Sequence, residues 1–395
     1  MSIGLFLICY PLAIAFVIFF EPFGPVTAGA STVLGGSLFF LFGALFLSFP
    51  QKQFYCYSQK KHKVTIISLT ISTLMIGWLY FIIQNFGYPA FIYFLKGESI
   101  PPEVLHGEYR DMLPLRGFVP PLMLALTISS ITFREKGLLN MFALLLTVTV
   151  SILLVGIYET RHVLLWVFIY IFFQKFFYMK SLMVFKNKMS YVVLFIAIGS
   201  IFVLLGNLRS GLSLSDNEYF ATGMGLSPIY SQLPLPVLWA LIYLFSGIAR
   251  GIANYEYIPY LASYIPPKLF PGFFQEDLDL PKIPLSDSFS EQKFAIDAWH
   301  TYALQFGIIG ALLLCTLIFL TYFLLIIQFR RMLNNNKTVP GWFYVLILWF
   351  SVRIFLLIIG DYFLDSAAFV ELFCLIVFFK LSNFKLTAFP KNYHG

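Results

Sequence analysis

Apolar residues in this chain come in long blocks, not in alternation. Ten blocks stand out, at 3–20, 30–49, 64–83, 118–133, 138–157, 163–179, 189–206, 302–328, 339–359 and 366–380. Crossing the hydrocarbon of a bilayer takes roughly 20 mostly apolar residues. Lipid offers no partner to a backbone N–H or C=O, so only α-helices and closed β-barrels cross it. Barrel strands alternate over segments of about ten residues, and these blocks do not. The pattern predicts an all-α polytopic membrane protein with about ten transmembrane helices, residues 1–395 forming a single integral membrane domain. Met1 to Phe20 carries no basic leader and no small-residue cleavage site, so it reads as a retained first span.

Two stretches between the blocks are long. Residues 84–117 form a first large outer loop, and residues 207–301 a second. Loops beyond about 12–15 residues are usually functional, which places the chemistry on this side. Within the second loop, Pro234 to Gly251 is apolar. Its core, Val237 to Ala249, is about 13 residues, short for a span. If it crossed, Arg330, Arg331 and the basic tail would change sides. It therefore reads as a re-entrant or interfacial outer helix. Residues 255–274 follow, with four prolines and seven aromatics, among them Tyr255, Tyr257 and Tyr260. Prolines at that density exclude one regular helix. The stretch suits an interfacial aromatic belt or a wall on which sugar faces stack.

Composition agrees with the blocks: 59% of the 395 residues are hydrophobic and 11% are charged. Soluble domains run near ~45–50% apolar and ~25% charged. A water-soluble enzyme, a disordered chain and a solvated nucleic-acid binder are excluded. The net charge of +7 matters mainly by location. Segments 50–63, 134–137, 175–188, 329–338 and the tail from Lys380 hold sixteen of the 26 basic residues and one acid, Glu135. Short loops rich in Lys and Arg stay cytoplasmic, so both termini are expected there. The basic balance is a topology signal, with no nucleic-acid partner implied. The four cysteines form no CxxC and suggest neither a disulfide framework nor a zinc site.

Charges inside apolar blocks are costly and mark function by default. Arg353 and Glu371 lie in consecutive blocks, equidistant from a turn near Tyr362. They suit a structural ion pair, or an Arg353 facing an anionic ligand and held by Glu371. Asp361 and Asp365 flank that turn as solvated acids or a base. Glu159, Arg161 and His162 share the short outer turn IYETRHVLL, Arg209 follows a block in GNLRSG, and Arg250 precedes Gly251. Each arginine suits a membrane anchor or a phosphate ligand, since a guanidinium fork binds phosphate bidentately. His300 precedes a span, with Asp297 three residues earlier. On a helix the pair shares a face, so the carboxylate can orient the imidazole for general-base work. An interfacial histidine is the other reading. His106 has no such frame. Asp277-Leu-Asp279 spells the DxD that holds a metal in nucleotide-sugar transferases. It lies outside, where nucleotide sugars are absent, so no metal site or cofactor is assigned.

These elements together resemble the bacterial oligosaccharide repeat-unit polymerases, the Wzy-type O-antigen and capsule polymerases. The resemblance rests on the number of apolar segments, Arg161 in a short outer turn, Arg209 in NLRSG, the long outer loop, and QFGIIG (305–310) at a span start. That last stretch is similar to the family's DFGxxG turn, with Gln305 in the acid's place. His300 before Gly307 and Gly310 is also similar to the His–GxxG step of O-antigen ligases, at a shorter spacing, which favours a polymerase. The resemblance implies a GT-C-like membrane glycosyltransferase in a bacterial inner membrane, with 84–117 and 207–301 periplasmic. Its substrates would be undecaprenyl-diphosphate-linked oligosaccharides, used without nucleotide sugar, metal or cofactor. Arg161 and Arg209 would hold the leaving diphosphate, with Arg250 and Arg353 as further candidates and Glu159 and Glu371 in support. His300 with Asp297 would deprotonate the acceptor hydroxyl, and Tyr255, Tyr257 and Tyr260 would guide glycan. A chain-length regulator and a flippase are the implied partners. A lipid-linked oligosaccharide flippase or other transporter, and an O-antigen ligase, are the alternative readings. A transporter would line a central path with charge and show two related halves, and here the charges gather at the outer rim.

Overall fold

The computed structural model describes residues 3–48, 54–58, 61–88, 92–93, 96, 112–133, 137–158, 166–167, 169–174, 221, 224–257, 297–335, 338–360, 363 and 366–388. It is mostly helical. The helices are α1 (Ile3–Phe20), α2 (Ala30–Leu47), α3 (Lys61–Phe86), α4 (Val119–Thr132), α5 (Leu138–Ile157), α6 (Leu235–Tyr257), α7 (Ala298–Asn334), α8 (Gly341–Leu356) and α9 (Ser366–Leu381). Among the described residues, five are long and apolar enough to cross a membrane, over Ile3–Phe20, Ala30–Leu47, Lys63–Phe86, Leu235–Ala253 and Ala298–Asn334. Helices α4, α5 and α8 are shorter apolar helices. The expected block 189–206 lies outside the described residues, as does most of 163–179.

The chain divides into two compact units. The first comprises Met1–Gln51, Ser213–Ile327 and Phe350–Ser366. Here α1 and α2 form an apolar hairpin. They cross so closely that a Cβ on Gly4 would strike the Gly43 carbonyl. Side chains on the outside of the hairpin, such as Phe19, Val33 and Leu41, are exposed, as expected where the solvent is lipid. Phe16 of α1 stacks on Phe245 of α6 at 4.4 Å. At the far end of α1, the Ser227 N–H and Oγ–H donate to the Pro22 and Glu21 carbonyls, and Tyr230 donates to the Phe20 carbonyl. The entrance of α6 is thereby tied to the exit of α1, and the two run antiparallel.

Helix α6 is longer than the sequence suggests. The apolar core stops at Ala249, but the helix runs on through GIANYEY to Tyr257. Arg250 ends the hydrophobic pattern without ending the helix, because Arg is a good helix former. The 23 residues of α6 span about 34 Å at 1.5 Å per residue, and Leu235–Ala253 has the length and apolarity of a span.

The second unit comprises Lys52–Leu212, Gln328–Trp349 and Ala367–Gly395. Hydroxyl pairs join its helices: Ser68 with Ser130 at 2.7 Å, Ser72 with Thr147 at 3.0 Å, and Thr127 with Ser151 at 2.7 Å. Small hydroxyl side chains let helices approach and bond where no water competes. Trp78 donates to the Tyr158 hydroxyl, which donates to the Pro114 carbonyl, both at 2.9 Å.

This unit also holds a small strand element that the apolar blocks do not predict. Strands β1 (Phe54–Ser58), β2 (Val339–Pro340) and β3 (Phe384–Ala388) form a small antiparallel sheet in the order β1-β3-β2. Tyr57 pairs with Lys385, and Lys385 also faces Pro340. Strands β1 and β3 lie in two of the basic segments, and β2 directly follows a third, all of which the charge pattern assigns to one face of the membrane. Strands that share hydrogen bonds cannot lie on opposite faces, so the sheet supports that grouping.

Candidate functional site

Asp297 stands immediately before α7, in the first unit. Its Oδ2 accepts the backbone N–H of His300 at 3.4 Å, the cap an Asp makes to the third residue of a helix. The same three-residue step brings the ring round to the carboxylate, where Nδ1 of His300 meets Oδ1 of Asp297 at 2.7 Å. The Tyr10 hydroxyl donates to Oδ2 at 2.6 Å, and Thr32 Oγ1 lies 3.0 Å from His300 Nε2. All four side chains are completely buried. The result is a continuous line, Tyr10–Asp297–His300–Thr32, drawn from α1, the α7 cap, α7 and α2.

With a neutral imidazole and an ionised Asp297, the proton positions follow from this line. A carboxylate only accepts, so Nδ1 carries the ring proton and donates to Asp297. Nε2 then holds the lone pair, and Thr32 donates to it. Asp297 receives a phenol, an imidazole N–H and a backbone N–H. That number of donors compensates an acid buried away from water. The arrangement fixes one histidine tautomer with its basic nitrogen directed at a hydroxyl.

Glycines admit the pair. A Cβ on Gly251 of α6 would strike Asp297 Oδ1 and stand 2.7 Å from His300 Cγ. A Cβ on Gly35 of α2 would stand 2.6 Å from the indole of Trp299. That indole donates to the Ser31 carbonyl at 3.0 Å. Backbone bonds hold the start of α7 from two sides: Asp297 N–H to the Gly247 carbonyl, and Ala298 N–H to the Leu357 carbonyl. Arg353 is completely buried in the last turn of α8, one turn before Leu357. A cation there also suits the negative end of the helix dipole. Arg250, adjacent to Gly251, is partly buried.

The QFGIIG stretch is where α7 breaks. Gly307 adopts φ 70° and ψ 171° inside the run Ala298–Asn334. A positive φ of that size favours glycine. The limb bearing His300 therefore ends at Phe306, and a second limb begins beyond Gly307. Gln305 Oε1, just before the break, is buried without a hydrogen-bond partner among the described residues.

Of the residues singled out in the sequence, Asp297 and His300 meet as expected. Arg250 and Arg353 lie on α6 and α8; a carbonyl of α6 and the carbonyl of Leu357, just after α8, hold the start of α7. Glu371 is completely buried in the second unit and accepts the Tyr170 hydroxyl. Tyr255 and Tyr257 fall in the last turn of α6. Glu159, Arg161, Arg209, Tyr260, His106, Asp277, Asp279, Asp361 and Asp365 lie outside the described residues. Tyr10 and Thr32 are members that sequence reasoning missed. Each is a polar group inside an apolar block, which is the available signal. It is a weak one for Tyr10 in a chain with 23 tyrosines.

Fold and network together define a helical membrane-embedded protein with a buried Tyr–Asp–His–Thr line at the head of α7. No family model matches the chain, and no curated protein or solved structure matches it.

Proposed function

We propose that this protein is a Wzy-type repeat-unit polymerase of the bacterial inner membrane. It transfers a growing glycan from undecaprenyl diphosphate onto a lipid-linked repeat unit at the periplasmic face, with both termini in the cytoplasm. The observation that carries the reading is the 2.7 Å contact between His300 Nδ1 and Asp297 Oδ1. It leaves Nε2 as an oriented base, which is what activating a sugar hydroxyl requires. Apolar helices long enough to cross a membrane suit a lipid-linked substrate.

In this proposal the acceptor hydroxyl loses its proton towards His300 as its oxygen attacks the anomeric carbon of the donor. The bond from that carbon to the diphosphate breaks, and the electron pair leaves with the diphosphate. Arg161 and Arg209, with Arg250 and Arg353 as further cations, offset that charge. Glu159 and Glu371 are the supporting acids in this reading. Tyr255, Tyr257 and Tyr260 pack against glycan. A chain-length regulator and the flippase that supplies the repeat unit are the proposed partners.

The surface-glycan ladder of a deletion strain tests the reading. A polymerase predicts lipid A capped with single repeats, restored to long chains by the wild-type gene and not by His300→Ala. Loss of all surface glycan would indicate a flippase. Long polymer retained on undecaprenyl diphosphate would indicate a ligase.

A further inference from the structure

We propose that the three-stranded sheet of the second unit is a docking platform for anionic phospholipid headgroups. The inference is independent of the polymerase reading. It starts from Lys385, which lies on β3, the middle strand. Its direct cross-strand neighbours are Tyr57 on one side and Pro340 on the other. A charge in a sheet gains from an opposite charge directly across from it, and neither neighbour supplies one. Lys385 is nevertheless half-buried.

Three more cations flank the same sheet. Lys63 lies in the first turn of α3, which begins just after β1. Arg331 lies in the last turn of α7, shortly before β2. Lys380 lies in the last turn of α9, shortly before β3. All three are exposed. Pairing of β1 with β3 thus draws Lys63 and Lys385 together from near the two ends of the chain. Among the described residues the second unit has one acid, Glu371, which is completely buried and accepts the Tyr170 hydroxyl. Like charges gathered without acids repel one another, and an anion from outside relieves that repulsion.

The neighbouring side chains select a lipid over a soluble anion. Lys63 and Arg331 stand at the ends of helices long and apolar enough to cross a membrane, Lys63–Phe86 and Ala298–Asn334. Cations just beyond such ends sit where headgroups are. Trp342, in the first turn of α8 right after β2, is exposed, and so is Leu381 beside Lys380. Tryptophan is enriched at the membrane–water interface, where its ring lies among headgroups. Cationic and apolar side chains side by side suit an amphiphile, with its phosphate on the lysines and its glycerol and upper acyl chain on Trp342 and Leu381. A free phosphate or an acidic peptide would leave those apolar groups in water.

Native mass spectrometry of the purified, delipidated full-length protein tests the platform. The probes are phosphatidylglycerol, phosphatidylcholine with the same chains, inorganic phosphate and a poly-glutamate peptide. Each juxtamembrane Lys or Arg changes affinity for an anionic lipid by about fivefold. Phosphatidylglycerol should therefore bind tighter than phosphatidylcholine by about fivefold or more. Lys380→Gln combined with Lys385→Gln should weaken phosphatidylglycerol by about tenfold or more and leave phosphatidylcholine unchanged. Lys→Arg at the same two positions should keep the affinity. So should Lys96→Gln, which removes a cation that lies over the Tyr88 ring in a different segment. If the double Gln variant does not purify, Lys63→Gln combined with Arg331→Gln makes the same comparison. Equal affinity for the two lipids, an affinity unmoved by the double Gln variant, or an equal loss in Lys96→Gln overturns the platform. Displacement of phosphatidylglycerol by inorganic phosphate would mark a site for a soluble anion, and tighter binding of poly-glutamate an acidic protein partner. Either result overturns the assignment to lipid.

Discussion

The Tyr10 hydroxyl donates to Asp297 Oδ2 at 2.6 Å across 287 residues of chain. The first helix thus fixes the carboxylate that caps α7. Hydrogen bonds to charged groups contribute about 1.5–3 kcal/mol. Tyr10→Phe removes this donor and leaves the histidine contact intact. The expected result is a loss of about 1–3 kcal/mol in unfolding free energy, read as a lower thermal midpoint in detergent. Turnover should fall with it, by about tenfold if the lost contact costs about 1.4 kcal/mol in the transition state. An unchanged midpoint would show that the bond is not made.

Asp297→Asn tests tautomer control. An amide can donate as well as accept, so it can present N–H to Nδ1 and turn the ring proton over to Nε2. The basic lone pair would then point away from Thr32. A loss on the order of 10²-fold in single-turnover rate is expected, with the protein still folded because the amide is isosteric. The hydroxyl at position 32 should then matter little, so Asp297→Asn combined with Thr32→Val should be no slower than Asp297→Asn alone.

Gly251→Ala and Gly77→Ala form a matched pair. A methyl at Gly251 strikes Asp297 and His300, whereas one at Gly77 meets nothing within 4 Å. Overpacking costs about 1–3 kcal/mol, while alanine replaces an interior helical glycine with a gain of roughly 0.5–1 kcal/mol. Gly251→Ala should lower both stability and turnover. Gly77→Ala should raise the midpoint slightly and leave turnover alone. The same direction of change in both would remove the steric argument.

The blocks behind α1, α2 and α3 are apolar over whole spans, so hydrophobicity alone locates these helices within a few residues. Pro120 and Pro121 open α4, in the first turn where a helix tolerates them. The sheet was not legible. FYCYS and FKLTA are short, distant in sequence and unremarkable singly, and pairing decides strands of that length. The site was legible by half. The spacing of Asp297 and His300 at a helix start is local, and local geometry follows from sequence. Tyr10 and Thr32 join through the crossing of α1, α2 and α7, which no local pattern encodes. QFGIIG drew notice as a motif, and its physical content is the backbone break at Gly307.

That break gives a prediction free of packing. Nothing lies within 4 Å of a Cβ built on Gly307, but its φ is 70°. Gly307→Ala therefore meets backbone strain alone, of order 1–3 kcal/mol. Helix α7 can relieve it by straightening, which would draw His300 away from Thr32. A lower midpoint with reduced turnover is expected, and Gly307→Asn should lose as much, because φ 70° with ψ 171° lies outside the left-handed helical region that Asn tolerates. An unchanged midpoint in both variants would argue against strain as the cause.

The sheet can be tested by chemistry at one register position. Cys56 pairs with Leu386, and Tyr55 with Thr387. Directly opposed residues in antiparallel strands have Cα atoms about 4.5–5.5 Å apart, inside the roughly 4.4–6.8 Å range of disulfides. Successive side chains on a strand point to opposite faces. Leu386→Cys should therefore oxidise to an intramolecular disulfide with Cys56, seen by mass spectrometry of the digested protein. Thr387→Cys, one residue on and facing the other way, should not. Because the bond joins the segment after α2 to the chain's tail, its formation would place both on one face of the membrane. Linkage in Thr387→Cys but not Leu386→Cys would mean a register slipped by one residue. Absence of linkage in both would dissolve the sheet and its topological constraint.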